Sequence, residues 1–110
     1  MKINLVVRCI TLIVTLFLSS HCLAETIWID VRSDLEHKIE SIDGDLRISH
    51  SDIVSDVQNL FPDKNAEIKL YCRGGGRAVE AAIALENAGY THVESIGGIE
   101  DARKYREIEQ

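Results

Sequence analysis

A single cysteine set between an apolar run and a glycine-rich loop constrains this chain more than any other feature. Glu67-Ile68-Lys69-Leu70-Tyr71-Cys72 reads as a strand, and Arg73-Gly74-Gly75-Gly76-Arg77 leads from it into an alanine-rich helical segment. A strand-to-helix junction of this kind surrounds the thiol with backbone N–H groups and the positive end of a helix dipole. The glycines carry no side chains to block an approaching group, and they tolerate the positive φ that turns N–H groups inward. Arg73 and Arg77 add two full charges. Together these features favour a thiolate at Cys72 and an anionic substrate. Glycines alone would mean a flexible turn, and either arginine alone a solvated charge; the combination is what selects an anion loop.

The N-terminus determines how much weight that cysteine carries. Lys2 and Arg8 precede an apolar run from Cys9 to Leu18, and Ser19-Ser20-His21-Cys22-Leu23-Ala24 supplies small residues at its end. That order predicts a secretory signal over residues 1–24, cut after Ala24. The run is well short of the roughly 20 apolar residues of a membrane span. Cleavage leaves 86 of the 110 residues, a single small domain over 25–110. It also removes Cys9 and Cys22, so Cys72 becomes the one remaining cysteine in an oxidising compartment: by count alone a small buried apolar residue, a reactive thiol or half of an intermolecular disulfide, with its neighbours favouring the reactive thiol. Without Lys2 and Arg8 the basic count falls from 12 to 10 against 18 acids, a net charge of −8. Such acidity argues against nucleic acid or an anionic membrane as partner.

The rest of the chain alternates strands and helices. Thr26–Val31 is β-branched and aromatic; Ser33 or Asp34 caps a short helix through about Glu40; Asp43-Gly44-Asp45 turns into a short strand at Leu46–Ile48. Ser49 or Ser51 caps a helix with Ile53, Val54, Val57 and Leu60 on one face, ended by Pro62. Beyond the glycine loop, Ala78–Ala88 forms a helix with Val79, Ala82, Ile83 and Leu85 available for packing, and Gly89 stops it. His92–Ile96 is the last strand, Gly97-Gly98 a loop and Ile99–Ile108 a terminal helix. This is an α/β pattern: a small, mostly parallel sheet with helices on both faces. Ligands of such sheets bind beyond the carboxyl ends of the strands. The loops after Val31, Cys72 and Ile96 all open there.

At this point the chain resembles the single-domain rhodaneses, the thiosulfate sulfurtransferase family, and most of all its small periplasmic members. Trp28-Ile29-Asp30-Val31-Arg32, Pro62-Asp63-Lys64-Asn65, Tyr71-Cys72 with the loop closing at Arg77, and Gly89–Glu94 followed by Gly97-Gly98 carry the likeness, in order and at family spacing. The resemblance implies a rhodanese-like domain over 25–110. It implies that Cys72 is the catalytic nucleophile, taking the outer sulfur of thiosulfate as a persulfide and passing it to cyanide or a thiol. It assigns substrate binding to Arg73, Gly74, Gly75, Gly76 and Arg77, with no metal or cofactor. The expected protein is a periplasmic monomer without stable membrane association after cleavage. Two departures stand out. Ser41 and Asp45 replace the histidine and alanine common in the family, putting the packing near Leu46 in question, and three consecutive glycines could loosen the cradle.

Other readings of the same loop stay open at this stage. A cysteine phosphatase or arsenate reductase closes its loop on an arginine after five spacers, with histidine before the cysteine; here there are four spacers, and Tyr71 precedes Cys72. A non-enzymatic persulfide carrier or interaction module would keep the fold without turnover. Cys–His hydrolysis would need His37 or His50 beside the thiol. No histidines show metal-ligand spacing, and Cys-x-x-Cys is missing from the sequence.

Overall fold

The computed structural model describes residues 25–108. The predicted signal segment, residues 1–24, lies outside the described residues. Among the described residues eight elements alternate: β1 (Ile27–Asp30), α1 (Asp34–Ile39), β2 (Leu46–Arg47), α2 (Ile53–Leu60), β3 (Ile68–Cys72), α3 (Gly76–Asn87), β4 (Val93–Gly98) and α4 (Ile99–Arg106). The four strands are all parallel and lie in the order β2-β1-β3-β4.

β3 is central and buried along its whole length. Its alternation sends Ile68, Leu70 and Cys72 into one core, shared with Ile29 and Val31, with Ile53 and Val57 of α2, and with Ala78, Ala81, Ala82 and Leu85 of α3. Tyr71 points to the other face and meets Ile42, Ile99 and Ala102 in a second, smaller cluster against α4. Helices therefore cover both faces, as the alternating pattern requires.

Several local expectations shift. α3 buries the stripe Ala78, Ala81, Ala82 and Leu85, which recurs at i, i+3, i+4 and i+7, so Val79 and Ile83 fall on the outer side and are exposed. Leu60 shares the face of Ile53 and Val57 but is the last residue of α2, and it is exposed. Asp52, not Ser49 or Ser51, occupies the N-cap of α2; the two serine hydroxyls bond each other instead, 3.0 Å apart. Ser33 does cap α1, in a reciprocal box with Glu36.

The largest difference concerns Gly97-Gly98. These residues are not a loop but the end of β4, paired with Tyr71 and Cys72. Ile96 is the extra residue: Leu70 pairs with Ser95 and Tyr71 with Gly97, so the register shifts between them. An irregularity of this kind bends the strand and re-aims its end, a common device beside functional sites.

Near Leu46, the departures from the family pattern take on a structural role. The Tyr71 hydroxyl donates to Asp45 Oδ2 at 2.6 Å, and Arg106 binds both Asp45 oxygens at 2.7 and 3.0 Å. The same guanidinium lies over the Trp28 ring, 4.2 Å from its centroid. Leu46 itself is partly exposed. Asp45 thus joins β3 to α4 from the loop before β2. Burial, together with the neighbouring Asp45 carboxylate, pushes the Tyr71 phenol pKa well up, so the hydroxyl stays a donor.

Candidate active site

Cys72 is the last residue of β3, and its side chain is 1 % exposed. The backbone N–H of Gly75 donates to its Sγ at 2.9 Å. Gly75 has φ +104°, the left-handed region, and is the N-cap of α3. That one glycine folds the loop back so that an N–H and the start of a twelve-residue helix both face the sulfur. Gly74 and Gly76 have no such demand: their backbones are not left-handed, and the space around their Cα atoms is open.

The end of β4 braces the loop. A β-carbon at Gly98 would overlap the Arg73 carbonyl oxygen, and one at Gly75 would lie 3.5 Å from the Gly97 Cα. Gly97, at φ +108°, is also crowded by the Asp101 carboxylate. Asp101 in turn accepts from the Gly98 N–H at 2.8 Å, tying the strand end to the first turn of α4. The glycine loop is therefore packed backbone to backbone against a second pair of glycines. Sequence reading placed both pairs on one rim; that one is the floor of the other depends on the shifted register of β4.

The two arginines of the loop diverge. Arg77 donates to both oxygens of Glu36 in α1, at 2.7 and 3.0 Å. Those bonds, together with the Ser33 N–H, hold the Glu36 carboxyl far below the usual carboxylate range. Arg77 still contributes charge near the thiol, but its guanidinium clamps α1 to the loop's end. Arg73 is exposed, and among the described residues it makes no hydrogen bond or ion pair.

Below this rim sits a buried polar anchor. Asp30, fully buried, accepts from the Arg32 N–H at 2.9 Å and from the Arg32 guanidinium at 2.8 to 3.1 Å. His37 Nδ1 lies 2.9 Å from Asp30 Oδ2, so the helix histidine is turned to this carboxylate. Arg32 reaches on to the Glu40 carbonyl. Burial alone would raise the Asp30 pKa; the bonds from Arg32 and His37 outweigh it and hold the carboxyl below its ordinary value. This network fixes the turn between β1 and α1. No buried side-chain nitrogen or oxygen among the described residues lacks a partner.

Sequence reading passed over Glu36 and Asp101 and considered His37 only as a base for the thiol, whereas its ring faces Asp30. Within α1, Glu36 closes the capping box with Ser33. Its second partner, 41 positions along the chain, leaves no trace in local sequence.

Comparison with known proteins bears on the family and the fold. Residues 18–104 match the model of the rhodanese-like domain. The thiosulfate sulfurtransferase PspE of Escherichia coli K12 is 36 % identical over 74 residues, covering 67 % of this chain and 71 % of that protein. A solved E. coli rhodanese with bound anions superposes with a TM-score of 0.67 at 35 % identity, over 70 % of this chain and 91 % of that one. The human single-domain sulfurtransferase TSTD1 shares the fold, with a TM-score of 0.61 at 24 % identity over 86 % and 92 % of the two chains.

Proposed function

This chain belongs to the rhodanese-like domain family, and on that premise we propose that it is a thiosulfate sulfurtransferase acting through a persulfide on Cys72. The observation that carries the reading is the 2.9 Å bond from the Gly75 N–H to Cys72 Sγ at a strand end, under the first turn of a helix. A donor aimed at a sulfur anion stabilises it without reorganisation when charge arrives. In the first half-reaction the Cys72 thiolate attacks the outer sulfur of thiosulfate. The S–S bond of thiosulfate breaks, sulfite leaves with the electron pair, and Cys72 holds the sulfane sulfur as a persulfide anion. The amides of Arg73 to Arg77 cradle that sulfur and the departing anion. In the second half-reaction a thiophilic acceptor, cyanide or a thiol, takes the sulfur and returns the thiolate. The protein performs this chemistry in the periplasm, exported by residues 1–24.

The test is the mass of the exported protein before and after thiosulfate, together with thiosulfate:cyanide transfer. The expected results are an N-terminus at Glu25, a gain of one sulfur, and turnover that Cys72→Ser abolishes. Turnover that survives Cys72→Ser would remove the mechanism. A sulfur gain without turnover would make the protein a carrier.

A further inference from the structure

A cleft of about 430 Å³ opens beside the Cys72 loop at the carboxyl ends of the strands. Arg32 follows β1, Arg73 follows β3 and Ile99 follows β4; α1 adds Glu36, Ile39 and Glu40. The charges in this cleft are not equivalent. Arg32 is spent on Asp30 and the Glu40 carbonyl. Glu36 is held by Arg77, while Glu40 and Glu100 are both bonded to Arg103. Arg73 is the exception, a cation that makes no ion pair among the described residues. Its backbone is nonetheless fixed, because its carbonyl packs where Gly98 leaves no room for a side chain. An unengaged guanidinium therefore hangs from a rigid point one residue after the thiol. Ile39 and Ile99 give the same cleft an aliphatic wall. The domain's acidity is screened beyond about 8 Å at physiological salt, so nearby charges decide what binds.

We propose that this cleft is the acceptor site, and that it takes a small thiol carrying a carboxylate, held by Arg73, with its methylenes against Ile39 and Ile99. The inference rests on the persulfide reading above. The acceptor thiolate attacks the outer sulfur of the Cys72 persulfide. The bond to Sγ breaks, its electron pair restores the Cys72 thiolate, and the acceptor leaves as a hydropersulfide anion. Atoms and charge balance without a further reductant. A guanidinium matches a carboxylate in a two-point, charge-assisted contact, whereas a cationic thiol meets Arg73 with like charge.

Mercaptoacetate and cysteamine, of similar size and opposite charge, are the probes. Protein pre-loaded with thiosulfate is mixed with each, and the ratio of the two sulfur-transfer rates is read for the wild type, Arg73→Gln and Arg73→Lys. Arg73 is exposed, so both variants should fold, and a thermal melt checks this. The two thiols also differ in thiolate fraction, a factor common to all three proteins, so the mercaptoacetate-to-cysteamine ratio is compared between proteins. It should be about tenfold higher in the wild type than in Arg73→Gln, the size of one charge-assisted contact, and Arg73→Lys should keep most of the wild-type ratio. Because each ratio is internal to one protein, any effect of Arg73 on thiosulfate loading cancels. In parallel, amide NMR shifts of unloaded protein are titrated with both thiols. If no persulfide forms yet mercaptoacetate binding still depends on Arg73, the transfer reading falls and the binding site stands. An Arg73→Gln variant that keeps the wild-type ratio in both assays overturns the proposal.

Discussion

Gly74, Gly75 and Gly76 are neighbours in sequence with different reasons for being there. Only Gly75 is left-handed, at φ +104°, and only it holds an N–H on the Cys72 sulfur. An L-residue in that region costs about 1–2 kcal/mol. Gly75→Ala should therefore lower stability by that amount and slow persulfide formation, while Gly74→Ala should stay within about 0.5 kcal/mol of wild type. Urea midpoints and the rate of mass gain with thiosulfate read both effects. Equal losses at the two positions would mean that the loop tolerates no side chain anywhere. The strictest glycine is expected to be Gly98, where a β-carbon overlaps the Arg73 carbonyl oxygen of the loop. Sequence alone raised the worry that three glycines make a loose cradle. The answer lies in residues more than twenty positions away, because looseness depends on what the backbone packs against.

At the scale of elements, α1 is the unusual one. It is six residues long and buries none of them, so no apolar face holds it down. Polar ties do that work: Glu36 to Arg77, His37 to Asp30, and Arg32 to the Glu40 carbonyl. Because Arg77 starts α3, the Glu36 pair also joins one wall of the cleft to the end of the Cys72 loop. Its pH dependence has a definite sign. The folded Glu36 pKa is depressed below its ordinary 4.5, so its contribution is complete above that value and drains away as pH falls toward the lower folded value. Wild type should exceed Glu36→Gln by about 1 kcal/mol at pH 7, a figure that allows for the partial exposure of the pair. The gap should close progressively in acid below pH 4.5. Thermal melts of both proteins across that range check it, and a gap that widens in acid would contradict the assignment. A capping residue at Ser33 or Asp34 made α1 legible in the sequence; what holds it in place was not.

For the molecule as a whole, one strand organises two cores. β3 sends Leu70 and Cys72 to one face and Tyr71 to the other, so each cluster is built on the same five residues. Leu70→Ala should cost about 2–5 kcal/mol, the usual range for a fully buried leucine. The loss should appear in a single transition by tryptophan fluorescence and by far-UV circular dichroism, since Trp28 reports the face opposite Leu70. Two separate transitions would show that the clusters fold independently. The alternation of strands with helices and the place of the thiol at a strand end follow from patterns of apolar residues, and these were readable without coordinates. The exposed Val79 and Ile83 were not, because the Ala78-Ala81-Ala82-Leu85 stripe offers an equally periodic face made of smaller residues.

The sequence by itself determined the α/β class, the family, the strand-end cysteine and the glycine-rich loop after it. Those are local facts: periodicity, glycine and spacing act within a few residues of one another. Only the tertiary structure decided that Gly97-Gly98 ends a strand and braces that loop, that Arg77 is claimed by Glu36, and that Arg73 is left unclaimed over a cleft. Each of these depends on which side chains the sheet register brings within bonding distance. Partner choice between charges far apart in sequence is set by that register.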